Sequence, residues 1–117
     1  MTNINMILKK STKEEYCAWE DRDIVLNGEK IGYVQLCIMG DVVYLASIDI
    51  DESQRNRGYG TEVLGSLVDE FGRFYLCPEN DRCVTLYERL GEEIDYANCP
   101  DELEGDFDEY GRMFVIE

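Results

Sequence analysis

Apolar and polar residues change their spacing several times along this chain, and each change marks an element. Met6-Ile7-Leu8 is a short apolar run that predicts a first strand. Ile24-Val25-Leu26, then Asn27-Gly28, then Ile31 to Ile38 predicts a β-hairpin, because Asn-Gly supplies the positive φ of a tight turn. Met39-Gly40-Asp41 turns the chain into residues 42–50, a run rich in β-branched and aromatic residues that reads as another strand. Val63, Leu64, Leu67, Val68 and Phe71 then fall at helical spacing, predicting a helix over about 59–71 that ends at Gly72.

Further strands are expected at 74–77, around 93–96 and at Met113-Phe114-Val115-Ile116, with a helix over 81–90. Ser11 to Arg22 leaves room for one short helix, with Thr12 and Glu15 at capping-box spacing. Asp101 to Tyr110 reads as an acidic loop. The order strand, short helix, three strands, helix, strand, helix, two strands predicts an α/β (α+β) fold. Its mixed, largely antiparallel sheet is flanked by helices. At 117 residues, without repeats or a low-complexity linker, residues 1–117 are expected to form one domain.

The segment Arg55-Asn56-Arg57-Gly58-Tyr59-Gly60 lies between the 42–50 strand and the helix that follows. Strand, glycine-containing loop, helix is an arrangement that holds phosphate. Loop N–H groups and the free N–H groups of the first helical turn converge, and the helix dipole favours an anion there. Glycine lets a ligand approach the backbone where a Cβ would obstruct. The loop lacks the pattern of a nucleotide-hydrolysing phosphate loop and the full dinucleotide fingerprint. It has Arg/Gln-x-x-Gly-x-Gly, and Asn80-Asp81-Arg82-Cys83-Val84-Thr85-Leu86-Tyr87-Glu88-Arg89-Leu90-Gly91 follows in order. These two segments resemble the paired motifs of the GNAT-type N-acetyltransferase superfamily: the pyrophosphate loop and the Asn-x-x-Ala-x-x-Leu-Tyr-x-x-Leu-Gly helix. Asn80, Leu86, Tyr87, Leu90 and Gly91 are in register, with Cys83 at the small alanine position and Glu92 where Phe is common.

The resemblance covers roughly residues 42 to 91 and implies the following roles. Acetyl-CoA lies in a notch where strand 42–50 and strand 74–77 splay apart, beside Ile48 and Ile50. Backbone N–H groups of Arg57, Gly58, Tyr59, Gly60 and Thr61, with Arg55 and Asn56 in the same loop, hold its pyrophosphate. Asn80 contacts the pantetheine arm, or caps its helix, or does both. The Tyr87 hydroxyl lies near the cofactor sulfur and protonates the departing thiolate; the plain alternative is an aromatic packed in the core. An acidic residue on the 42–50 strand activates the amine in some members; Tyr44 stands at that place here, and Asp49 is the first candidate base, against a merely solvated carboxylate. Helices that usually wall the acceptor pocket are shortened.

Composition narrows the chemistry. The formal net charge is −15, which argues against direct nucleic-acid binding. Residues 91–117 carry ten of the acidic residues and one basic one. The run Asp101, Glu102, Glu104, Asp106, Asp108, Glu109 either is a solvated loop or attracts a cationic acceptor. Calcium-loop spacing is not met and no metal site is expected. The absence of histidine removes Ser-His and Cys-His nucleophiles. Five cysteines without a Cys-x-x-Cys pair, and no export signal or long apolar stretch, give free thiols and a cytoplasmic location as the expectation, with no membrane contact.

These features predict an N-acetyltransferase that moves an acetyl group from acetyl-CoA to a primary amine of a cationic acceptor: a protein lysine, a polyamine or an aminoglycoside. It would act as a monomer or homodimer. The alternative is a non-catalytic acidic module, binding a basic protein groove as a nucleic-acid mimic on the same fold.

Overall fold

A computed structural model describes residues 3–117. Its centre is one seven-stranded sheet, built from β1 (Ile4–Lys13), β2 (Ala18–Leu26), β3 (Glu29–Met39), β4 (Val42–Ile50), β5 (Phe74–Leu76), β6 (Glu92–Ile94) and β7 (Met113–Ile116), in spatial order β1-β2-β3-β4-β5-β7-β6. Helices α1 (Tyr59–Phe71), α2 (Asp81–Leu90) and α3 (Glu104–Tyr110) complete it. All strand pairs are antiparallel except β4 and β5. The mixed, largely antiparallel sheet therefore matches the sequence-based expectation, as do the bounds of α1 and α2.

Strand alternation divides the core between the two sheet faces. On one face Val34, Leu36, Val43, Leu45, Phe74 and Phe114 meet Val63, Leu64 and Leu67 of α1 and Tyr87 of α2. Each of the fully buried aliphatic side chains of α1 contributes about 1.5–3 kcal/mol. On the other face Cys37, Tyr44, Cys77 and Met113 pack with Cys99 and Leu103, and Phe107 of α3 joins them.

Two expectations are corrected. The short helix over 11–22 does not form. The chain runs as strand to Lys13, turns with the Glu14 N–H bonded to the Cys17 carbonyl at 2.8 Å, and returns as β2. Lys10 to Lys13 pair with Asp21 to Ala18, so each residue joins a continuous ladder. An isolated helix of that length is marginal in water, and Tyr16, Cys17 and Trp19 offer it no apolar stripe. The N-terminal helical region is thus absent rather than shortened: among the described residues no helix precedes Glu52. The acidic segment 101–110 is not a loop. Asp101–Leu103 forms a 3-10 turn that runs into α3, anchored by fully buried Leu103 and by Phe107 one turn later. Glu104 and Asp106 in its first turn complement the helix dipole.

Gly91, which ends α2, sits against β7. A Cβ there would run into the Val115 carbonyl and the Ile116 side chain. Its φ of −152° suits any residue, so the requirement is for space alone. Gly91→Ala should destabilise the protein by about 1–3 kcal/mol, the usual cost of overpacking, read as a lower urea midpoint. No helix among the described residues is long and apolar enough to cross a membrane.

Candidate active site

The site begins with a break in the sheet. Between β3 and β4 the register shifts so that Gln35 faces Ser47 while Leu36 faces Leu45, leaving Ala46 as an extra residue. Such a bulge bends its strand. β4 then touches β5 at one pair, Tyr44 and Tyr75. The end of β4, Ile48 to Ile50, is paired with β3 and open on its other side.

The loop after β4 is shaped by two left-handed residues, Asn56 (φ +64°) and Gly58 (φ +82°). Asn tolerates that region, and Gly enters it without penalty. Gly58 is also the N-cap of α1 and offers no side-chain cap. The first N–H of α1 to find a backbone partner is that of Glu62, bonded to the Gly58 carbonyl at 3.1 Å. The N–H groups of Tyr59, Gly60 and Thr61 therefore remain available, at the positive end of a 13-residue helix.

Arg55 turns back on the strand. Its Nε donates to the Ile50 carbonyl at 2.7 Å and its Nη2 to Asp49 Oδ1 at 3.0 Å. This arginine braces the loop against β4 and is held in an ion pair with the candidate base. Arg57 is exposed and lies outside the cleft wall.

The second wall is α2. Asn80 is its N-cap, its Oδ1 accepting from the Cys83 N–H at 3.0 Å, which leaves Nδ2 for other partners. Tyr87 is 4% exposed, stacked edge-on to Phe114 at 5.9 Å, with Cys83 one turn away on the same helix face. Burial, with a smaller contribution from the neighbouring Cys83 thiol, holds the Tyr87 phenol above the usual tyrosine range. The phenol is therefore a proton donor throughout the neutral range.

Loop, α1 terminus and α2 open on one cleft of about 520 Å³. Ile48, Asp49 and Ile50 form its floor, and Arg55, Asn56 and the stretch Gly58–Thr61 form one side. Asn80 and Tyr87 lie opposite. Of the candidate residues, only Arg57 lies outside. The cleft also contains residues that the sequence reading passed over: Gln54, Glu79, Arg82 and Arg89. Gln54 Oε1 is buried without a hydrogen-bond partner and offers an acceptor to a ligand. A free helix N-terminus for a diphosphate, a cap asparagine and an orphaned acceptor for polar groups of an arm, and a phenol donor for a thiolate together fit acetyl-CoA. Tyr44, at the place where the resemblance implies an acid in some members, lies under α3 on the opposite sheet face, and burial and Cys77 push its phenol up. That excludes it as a base near neutral pH.

Comparisons with known proteins agree with this architecture. No curated protein sequence matches the chain. Among solved structures, the N-acetylglutamate synthase of Neisseria gonorrhoeae complexed with coenzyme A and N-acetyl-glutamate superposes with a TM-score of 0.66 at 17% identity, over 82% of this chain and 25% of that one. GCN5 of Tetrahymena gives 0.64 at 16% identity, over 88% of this chain and 69% of that one. The ribosomal-protein-S18-alanine N-acetyltransferase of Escherichia coli gives 0.56 at 20%, over 89% and 68%. The chain thus spans only a quarter of the synthase it resembles. Residues 4–91, which hold the bulged strand, the loop and both walls of the cleft, match the model of the acetyltransferase (GNAT) family, and the chain belongs to that family.

Proposed function

We propose that this protein transfers an acetyl group from acetyl-CoA to a primary amine of a cationic acceptor. The observation that carries the reading is the single cleft shared by the uncapped α1 terminus and the buried Tyr87 hydroxyl. Backbone N–H groups of Tyr59, Gly60 and Thr61 bind the pyrophosphate. The amine nitrogen attacks the thioester carbonyl, the carbon–sulfur bond breaks, and Tyr87 supplies a proton to the leaving sulfur. Asp49 Oδ1 is engaged by Arg55; Oδ2 is the atom through which Asp49 takes the amine proton, by way of water.

Two features favour a cationic, macromolecular acceptor such as a lysine on a protein. The plain β1–β2 hairpin leaves no N-terminal helical wall, so the acceptor side is open. α3 brings carboxylates to the end of β5. The Cys77 Sγ lies 4.0 Å from the Asp106 carbonyl, and the negative charges of Glu109 and Glu79 help to raise the Tyr110 phenol. Burial, with a smaller contribution from Glu109, raises the Asp106 carboxyl.

The test is a salt series with a lysine-rich protein acceptor, on wild type and on a variant with Asp101, Glu102, Glu104, Asp106 and Asp108 neutralised. The variant should show a KM raised about tenfold at low salt, with the difference vanishing as salt screens the field beyond about 8 Å. Acetyl-CoA affinity should hold or rise slightly. Identical, salt-independent kinetics would remove the cationic-acceptor reading. Loss of partner binding without acetyl-CoA would favour the non-catalytic alternative.

A further inference from the structure

All five cysteines carry free thiols. Cys37, Cys77 and Cys99, with Cys17 against them, lie in the core on the α3 side of the sheet. Cys83 is alone on the other side, packed on the core that α1 and α2 cover. It is half-buried and lines the cleft. The resemblance puts a small alanine at this place, so this chain has a sulfur where the family pattern has a methyl group.

Helical spacing decides what that sulfur faces. Cys83 and Tyr87 are four residues apart on α2, so their side chains lie one above the other, about 6 Å apart along the axis. After burial, the Cys83 thiol is the group that most raises the Tyr87 phenol, which makes sulfur and hydroxyl close neighbours. Tyr87 is 4% exposed, and its hydroxyl has no oxygen or nitrogen partner among the described residues. Gln54 Oε1, on the same cleft, is buried and also unpartnered. Two orphaned polar groups in one cleft with a thiol mark the place of a bound molecule. In the acetyl-transfer reading the sulfur of that molecule meets the Tyr87 hydroxyl, so it also comes to rest against Cys83.

We propose that Cys83 is a covalent modification site that captures CoA as a mixed disulfide and so switches the protein off under oxidising conditions. This rests on the cleft being the CoA site. The reactant is a low-molecular-weight disulfide with CoA as one half. Cys83 Sγ loses its proton to solvent and attacks the CoA sulfur of that disulfide. The new sulfur–sulfur bond forms as the old one breaks, and the other half leaves as a thiolate that takes up a proton. One thiol and one disulfide enter, and one disulfide and one thiol leave, so no further oxidant is consumed. Binding of the nucleotide at the α1 terminus holds the reacting sulfur beside Cys83 and raises its effective concentration there. The adduct fills the cleft and excludes acetyl-CoA. The four thiols of the other sheet face have no such guide.

The experiment treats the reduced protein with CoA disulfide, or with glutathione disulfide, which lacks the nucleotide. The adduct is followed by intact mass and peptide mapping, and acetyl-CoA binding by calorimetry. CoA disulfide should label Cys83 about tenfold or more faster than glutathione disulfide does, a modest share of what tethering gives. Saturating acetyl-CoA should protect Cys83, and dithiothreitol should remove the adduct and restore acetyl-CoA binding. Gly60→Val should slow CoA disulfide to the rate of glutathione disulfide, and Cys83→Ala should take up no adduct in the cleft. Where acetyl-CoA binds, equal rates for the two disulfides overturn the proposal and leave the cleft assignment standing. Labelling of Cys83 that acetyl-CoA does not slow, or CoA attached mainly to the other thiols, overturns it in the same way. If acetyl-CoA gives no heat with wild type, the cleft assignment fails and the capture with it. Should a variant melt early, the wild-type rates and the protection by acetyl-CoA carry the same comparison.

Discussion

Tyr87→Phe should lower turnover about a hundredfold, within the range of general acid–base catalysis, while acetyl-CoA affinity stays nearly constant. The substitution keeps the ring, its edge-on contact with Phe114 and the volume it fills. Only the hydroxyl is lost. A buried phenol whose pKa is raised stays protonated as pH climbs through the neutral range. The activity it supports therefore should not decline on the alkaline side until pH nears or passes the ordinary tyrosine value of about 10. Presteady-state measurement with chemistry rate-limiting checks both points. Unchanged turnover would make the hydroxyl dispensable, and a melting temperature lowered so far that the variant is largely unfolded at the assay temperature would make its role structural.

Gly60→Val should abolish the stabilisation by acetyl-CoA with little effect on the unliganded fold. A Cβ at Gly60 meets only Ile50 Cδ1, at an ordinary 3.8 Å. The protein itself has room for it, so what a larger side chain obstructs is the approach of a ligand to the helix terminus. Gly58→Val should differ. The left-handed φ of +82° at Gly58 is a conformation valine avoids, so this variant should lose intrinsic stability as well as ligand binding. Thermal melts with and without saturating acetyl-CoA separate the two. At about a hundred times Kd a ligand adds about 2.7 kcal/mol to the wild-type protein, and neither variant should gain it. A full ligand-induced shift in Gly60→Val would show that the cofactor does not approach this turn.

The contrast between those two glycines reflects what a sequence can and cannot reveal. Arg55 to Gly60 and Asn80 to Gly91 are legible because their chemistry is local: a loop, a cap, a helix face. The strand at 42–50 is legible for the same reason, through its β-branched residues. What the sequence hid depends on partners far along the chain. Thr12 and Glu15 carry a local capping signal, yet Trp19 and Asp21 draw residues 10–13 into a ladder that no local signal reports. The acidic run 101–109 looked solvated because its charges outnumber Leu103 and Phe107, whose i, i+4 spacing was the available clue to α3. The bulge at Ala46 has no sequence mark, though it opens β4 toward the cleft. Arg55 was legible as a loop arginine but not as a brace, since its partners Asp49 and Ile50 belong to the strand it has just left.

Calorimetric titration of the wild-type protein with acetyl-CoA tests the central claim most directly, because every role assigned here depends on that one cleft. A single site per chain should appear, with heat of binding and a matching rise in melting temperature, both lost in Gly60→Val. No heat and no rise at saturating acetyl-CoA would contradict the account.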